Sequence, residues 1–126
     1  MLNDRIEAKW IDAFVKVFEL CKVTPGEQVA ILSETQSRAL NIHLAELALA
    51  RLGAIVFHVV VPTPPQDAPV PVRSTGASSA LTGQRAAIEA LKATTLVVDC
   101  TVEGLLHAPE MPEILSGGTR IQMISN

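Results

Sequence analysis

Residues 94–110 read TTLVVDCTVEGLLHAPE and decide the fold predicted for this chain. Residues 96–98 form a short apolar run rich in β-branched side chains, which is typical of a central parallel strand covered on both faces. The polar residues that follow, Asp99 and His107 among them, then lie beyond the carboxyl end of that strand. Open α/β sheets bind their ligands at this edge. The pattern therefore predicts a functional site there.

The rest of the chain alternates between amphipathic helices and short apolar strands. The predicted elements are a helix at 3–22 capped by Asn3 or Asp4, a strand at 28–33, a helix at 37–51 capped by Ser37, a strand at 55–61, a helix at 82–92 capped by Thr82, the strand at 96–98, a helix at 109–115 and a strand at 119–124. Strand–helix–strand units place their strands parallel through a right-handed crossover. The sequence therefore predicts an α/β fold with a doubly wound, mainly parallel four-stranded sheet and flanking helices, flavodoxin-like or Rossmann-like, with strand order 2-1-3-4.

The segment at 62–79 interrupts this alternation with five prolines. A loop of that length exceeds what a simple connection in a compact domain requires. Its composition leaves three interpretations open, which are a lid, an interface arm and a disordered segment.

Length and charge limit the classes of function. A chain of 126 residues with 48% hydrophobic residues predicts one α/β domain over 1–126, expected to be the N-terminal domain of a longer enzyme because the chain ends directly after its last predicted strand. The formal charge of −3, with scattered lysines and arginines, disfavours nucleic acid and anionic membranes as partners. The apolar stretch 54–61 is too short to span a bilayer and the N-terminus lacks a signal peptide, so we expect a cytoplasmic location.

Several familiar chemistries lack their motifs. The turn after the first strand reads SETQSRAL, without the closely spaced glycines of a phosphate-binding loop, and no GxSxG nucleophile elbow occurs. Cys21 and Cys100 lack zinc-type spacing and are expected to be reduced thiols. His43 on a helix and His58 in a strand do not form a metal-ligand pair. The sequence therefore predicts no metal site formed by this chain.

His107 is the leading candidate for a chemical role. It is predicted to lie in irregular backbone beside Pro109, where an imidazole can face a cleft and change charge near neutral pH. Asp99, and Glu34 together with Arg38 after the first strand, are candidates for binding a polar substrate. Structural alternatives stay open, because His107 can fix a turn and Asp99 can cap one. Glu34 and Arg38, predicted one helical turn apart, can equally form a surface ion pair or a capping arrangement.

Five segments carry a resemblance to a known family. They are ALTG at 80–83, QRAAIEAL directly after it, LVVD at 96–99, LLHAPE at 105–110 and EILSGGTRI at 113–121. In order and spacing they resemble the N-terminal domain of bacterial 2,5-dihydroxypyridine 5,6-dioxygenases, which belong to a group similar to the aminopeptidase T metallopeptidases. The resemblance implies a non-haem iron(II) enzyme of nicotinate degradation that opens a dihydroxylated pyridine ring with dioxygen to give N-formylmaleamic acid.

In that family the iron ligands, two histidines and an aspartate, lie in a larger C-terminal domain. The resemblance implies that Fe(II) belongs to the full-length enzyme, that this chain binds none, and that the chain is inactive alone. The implied partners are the C-terminal metal-binding domain and a small aromatic substrate. Separately, the exposed edges of a small sheet predict self-association into a homo-oligomer. His107 matches the histidine of an LLHSPE-like motif, which implies an acid/base or substrate-orienting role. Ala108 replaces the serine of that motif, and the loop CTVEGLLH is slightly longer than the family's.

Two further functions stay open from the sequence. In an aminopeptidase T-like metallopeptidase, the same half of the molecule supports a peptide-binding cleft, with a two-metal centre elsewhere. A stand-alone binding or oligomerisation module without catalysis is the third interpretation, favoured if 126 residues are the whole gene product.

Overall fold

The computed structural model describes residues 6–65 and 75–124. In chain order its elements are α1 (Ala8–Leu20), β1 (Gln28–Glu34), α2 (Ala39–Arg51), β2 (Ile55–Val61), α3 (Arg85–Lys92), β3 (Leu96–Cys100), α4 (Met111–Ser116) and β4 (Arg120–Met123). The predicted caps Asn3 and Asp4 and the middle of the proline-rich segment lie outside the described residues. The predicted order of helices and strands is confirmed.

The four strands form one parallel sheet in the order β2-β1-β3-β4. Val29 of β1 pairs with Val56 on one side and with Leu96 of β3 on the other. Leu96 also pairs with Arg120 of β4, so β1 and β3 are the central strands. Every residue of β3 is buried, as the apolar run predicts for a strand covered on both faces. The predicted strand order 2-1-3-4 is therefore confirmed.

Helices cover both faces of the sheet. Because successive side chains of a strand point to opposite faces, Ile31 and Leu32 of β1 belong to different cores. Ile31 packs in the core formed with α1 and α2, where Phe18 and Leu49 are fully buried. Leu32 packs in the core formed with α3 and α4. The sheet is doubly wound, as predicted.

The predicted caps Ser37 and Thr82 are wrong. The helices begin at Ala39 and Arg85, and the residues at their N-cap positions make no side-chain capping bond. The Ser37 hydroxyl instead accepts the backbone N–H of Glu34 (2.8 Å) and donates to the Cys100 carbonyl (2.5 Å). The hydroxyl thus ties the end of β1 to the end of β3 instead of starting α2.

The spacing of apolar residues in the sequence predicts that Leu40, Leu44, Leu47 and Ala48 form the inward face of α2, and the structure confirms this only in part. Leu44 and Ala48 are buried as expected, but Leu40 and Leu47 are 40% and 42% exposed. Leu49 and Ala45 take their places in the core. A helix that is apolar on most of its surface gives a weak periodicity, so the pattern did not identify the buried stripe.

No helix within 6–65 and 75–124 is long and apolar enough to cross a membrane.

Candidate functional site

Two carboxylates lie at the carboxyl ends of the central strands. Glu34 is the last residue of β1, and Asp99 is the last but one residue of β3. Because the strands are parallel, the two ends meet at the same edge of the sheet. Glu34 is 4% exposed and Asp99 is 1% exposed. Both carboxylates are therefore removed from water and depend on protein hydrogen bonds.

Asp99 organises the loop that follows β3. Its Oδ1 accepts the backbone N–H (3.0 Å) and the hydroxyl (2.6 Å) of Thr101, and its Oδ2 accepts the backbone N–H of Leu105 (2.8 Å). The bond to the N–H two residues ahead is an Asx turn. These contacts match the turn-capping alternative for Asp99. Contact between Asp99 and a substrate stays a prediction.

Glu34 holds the same loop from the neighbouring strand. Its Oε2 accepts the backbone N–H of Val102 at 2.7 Å. Burial raises the pKa of the Glu34 carboxyl, and the charges of Glu103 and Asp99 raise it further against the hydrogen bonds that it accepts. Burial likewise raises the pKa of Asp99. The carboxyl edge thus concentrates acidic groups for which ionisation is unfavourable.

His107 lies exposed at the end of this loop. Its backbone N–H donates to the carbonyl of Gly76, at the far end of the proline-rich segment. A Cβ built on Gly76 would lie 3.2 Å from Cδ2 of His107 and 3.3 Å from Cβ of Leu106, and Gly76 has a φ of +76°. Only a glycine therefore combines this backbone conformation with this proximity to the imidazole.

Residues 75–78 pair with the loop after β3. The Gly76 N–H donates to the Glu103 carbonyl (2.6 Å), and the Ser78 N–H donates to the Gly104 carbonyl (2.9 Å). The Thr75 hydroxyl donates to Oε1 of Glu103 (2.7 Å). The described end of the proline-rich segment is therefore bonded to the loop that carries His107.

Comparison with known proteins shows the family of the chain. The model of the 2,5-dihydroxypyridine 5,6-dioxygenase family matches residues 9–126. A 2,5-dihydroxypyridine 5,6-dioxygenase from Pseudomonas putida is 36% identical over 116 residues, which are 90% of this chain and 33% of the relative. The chain belongs to the 2,5-dihydroxypyridine 5,6-dioxygenase family. The resemblance found in the sequence is thereby confirmed.

A solved member of this dioxygenase family has the same fold. The structure of the 2,5-dihydroxypyridine dioxygenase from Pseudomonas putida KT2440 superposes with a TM-score of 0.80 at 33% identity. The match covers 99% of this chain and 35% of that chain. The chain therefore spans about a third of the length of the relatives that it matches.

Arg38, Glu34 and Cys100 lie near the same carboxyl edge of the sheet, but their surroundings differ. Arg38 is exposed and occupies the N-cap position of α2. Glu34 and Arg38 are not one helical turn apart on one helix, as predicted, because Glu34 ends β1 and precedes the turn into α2. Cys100 is fully buried, and burial raises the pKa of its thiol to about 12. A thiol in this state is a poor nucleophile at neutral pH.

A metal site needs several converging ligands. Within the part of the chain that the structure describes, no group of three or more His, Cys, Asp or Glu side chains lies close enough to hold a metal ion. Oxygens of Asp99 and Glu34 already accept hydrogen bonds from backbone N–H groups of the loop. The described residues therefore offer no ligand set that fits the iron implied by the resemblance to the family.

The sequence alone did not identify Gly76 or Thr101 as part of the site. Thr101 carried a usable signal, because an Asp followed two residues later by a hydroxyl residue is typical of an Asx turn. Gly76 carried none, since its partner His107 lies far along the chain and the contact depends on the tertiary fold.

Proposed function

We propose that this chain forms the N-terminal domain of an iron(II)-dependent enzyme of nicotinate degradation that opens the ring of 2,5-dihydroxypyridine with dioxygen. Membership of the dioxygenase family supports the reaction class. The observation that carries the proposal is the exposed His107 at the carboxyl edge of the sheet, on a loop fixed by two buried carboxylates. A fixed loop presenting one exposed imidazole at a ligand-binding edge is suited to acid/base chemistry.

His107 would act on a proton of the substrate. A neutral imidazole nitrogen accepts the proton of a ring hydroxyl, and the resulting imidazolium returns it to the opened product. No charge remains on the protein at the end of the cycle. The backbone bond from His107 to Gly76 and the proximity of Gly76 to the ring would limit the positions that the imidazole can take.

The ferrous ion would be held outside this chain. Its ligands would lie in a C-terminal domain, as the resemblance to the dioxygenase family implies. Iron held there would supply the activation of dioxygen. We also propose that Arg38, exposed at the same edge, contacts polar groups of the substrate.

Oxygen uptake tests the proposed reaction. The full-length protein is loaded with ferrous iron and given 2,5-dihydroxypyridine in an oxygen electrode, and parallel samples with zinc or cobalt are given peptides. We expect one dioxygen consumed per pyridine ring opened and no release of amino acids. Peptide hydrolysis without oxygen uptake would favour an aminopeptidase T-like enzyme, and inactivity in both assays would favour a non-catalytic module.

A further inference from the structure

We propose that Asp99 is a positioning residue for His107, because its carboxylate fixes the turn at 101–105 that leads to the imidazole. The inference rests on the proposed role of His107. It assigns Asp99 a task different from the substrate contact that the sequence suggested. The structure supports this task through a continuous set of hydrogen bonds from β3 to the loop.

The Asp99 carboxylate accepts hydrogen bonds from both ends of the turn. One oxygen accepts two bonds from Thr101, and the other accepts the N–H of Leu105 at 2.8 Å. The hydroxyl of Thr101 in turn accepts the N–H of Gly104 at 3.1 Å. The Asp99 side chain therefore connects both ends of the turn, while Glu34 holds the Val102 N–H between them.

Leu105 passes this constraint to His107. The Leu105 side chain is fully buried in the core beneath α3 and α4, and its carbonyl accepts the N–H of Ala108 at 3.0 Å. His107 lies between these two bonded residues, and its own N–H is bonded to Gly76. The imidazole is thus attached to backbone that is held on both sides.

The site requires a carboxylate and not just a polar side chain. Asparagine has one acceptor oxygen and one amino group, whereas Asp99 accepts bonds through both oxygens. In Asp99→Asn, the amino group must face either the N–H of Leu105 or the N–H of Thr101, donor against donor. Since Asp99 is 1% exposed, water cannot readily replace the lost bond, and the turn must move.

Activity measurements on the full-length protein test the coupling. The variants are Asp99→Asn, His107→Ala and the two combined, with Asp12→Asn as the control because Asp12 is an exposed carboxylate of α1 paired with Arg51. We expect Asp99→Asn to lower kcat by about tenfold and to leave KM and iron content within about twofold. The double variant should be no slower than His107→Ala alone, because the effect of Asp99 passes through His107. A further loss that multiplies with that of His107→Ala would overturn the proposal.

A spectroscopic readout separates positioning from activity. The ¹H–¹³C resonance of the His107 ring, assigned by its absence in His107→Ala, should shift in Asp99→Asn and stay in place in Asp12→Asn. An unshifted resonance in Asp99→Asn would overturn the positioning role whatever the activity. A shifted resonance together with full turnover in His107→Ala would retain the positioning role and overturn the proposed function of His107.

A second variant covers the case in which Asp99→Asn does not fold. Thr101→Val removes the hydroxyl that donates to Asp99 and accepts from Gly104, but keeps a branched side chain of similar size. We expect the same resonance to shift and kcat to fall by about threefold. An unshifted His107 resonance in Thr101→Val would overturn the proposal.

Discussion

The two ends of β1 each carry a glutamate, and the surroundings of the two carboxylates are opposite. Glu27 directly precedes β1 and accepts hydrogen bonds from the Thr24 N–H (2.5 Å), the Thr95 hydroxyl (2.8 Å) and the Arg120 guanidinium (2.9 Å). Burial by itself raises the pKa of Glu27, but these donors outweigh burial and lower the pKa to about 2. At the amino edge of the sheet, therefore, the charge stabilises the fold.

Glu34 ends the same strand in the reverse situation. Burial raises the pKa of Glu34, and the charges of Glu103 and Asp99 raise it further. The hydrogen bond that Glu34 accepts from the Val102 N–H holds the loop after β3. The comparison shows that the amino edge contributes stability, whereas the carboxyl edge keeps buried carboxyl groups whose ionisation is unfavourable and which fix the loop that ends in His107. Functional sites commonly retain such groups at a cost in stability.

The largest effect is expected at the exposed end of that loop. His107→Ala removes the group proposed to accept and return a proton, so turnover of the full-length protein should fall by at least about tenfold while iron content stays intact. Steady-state oxygen uptake and metal analysis measure the two quantities. His43→Ala, an exposed histidine of α2, is the matched control and should retain full turnover. Equal turnover in both variants would show that His107, at the carboxyl edge of the sheet, takes no part in the reaction.

A smaller effect on turnover is expected at Gly76. In Gly76→Ala the new methyl group presses on the His107 ring, so turnover should fall about threefold to tenfold. Gly118→Ala is the control, because Gly118 has a φ of +90° and no atom within 4 Å of its Cβ position. Both variants should lose about 1–2 kcal/mol of unfolding free energy through backbone strain. Loss of turnover in Gly118→Ala as well would show that strain, and not contact with the imidazole, is responsible.

At the amino edge, the expected effect is on stability alone. Glu27→Gln loses a charge with strong donors, so the free energy of unfolding at pH 7 should fall by about 1–2 kcal/mol with turnover unchanged. The folded pKa of Glu27 is about 2 and its ordinary value is 4.5, so its contribution is present above pH 4.5 and is lost as the pH falls towards 2. Urea unfolding across this range measures the difference between variant and wild type. A difference at pH 2 as large as that at pH 7 would contradict the assignment.

The smallest effect is expected at the other end of β1. A carboxyl whose folded pKa is raised gives stability that is present at pH values below its unfolded pKa and lost as the pH rises through its folded pKa. Glu34→Gln keeps an acceptor for the Val102 N–H and removes this loss, so its unfolding free energy should rise relative to that of the wild type as the pH rises above 4.5, the ordinary pKa of the carboxyl. If the unfolding free energy of the variant instead falls relative to that of the wild type as the pH rises, ionised Glu34 stabilises the fold.

The sequence predicted the fold well because hydrophobic patterning determines it. The apolar run at 96–98 fixed β3 as a central strand, and the alternation of elements led to the strand order that the structure has. The cap assigned to Ser37 was wrong because its hydroxyl bonds to the carbonyl of Cys100, a residue distant in sequence. Local propensity cannot detect such a competing tertiary partner.

The candidate site was predicted less completely. The placement of Asp99 and His107 at one loop followed from the strand, and the contacts of Asp99 match the turn-capping alternative that its residue type allowed. The contact between Gly76 and His107 could not be predicted, because it requires the end of the proline-rich segment to cross the loop after β3. Catalysis by His107 and substrate contacts of Arg38 and Glu34 stay predictions.

One paired measurement tests most directly whether the two edges divide function and stability between them. Turnover and unfolding free energy are determined on the same preparations of Asp99→Asn and Glu27→Gln. We predict that Asp99→Asn loses about tenfold in turnover together with about 1–3 kcal/mol in unfolding free energy, because it leaves a buried donor unpaired, whereas Glu27→Gln loses stability and keeps its turnover. Full turnover in Asp99→Asn, or a loss of turnover in Glu27→Gln, would contradict the account.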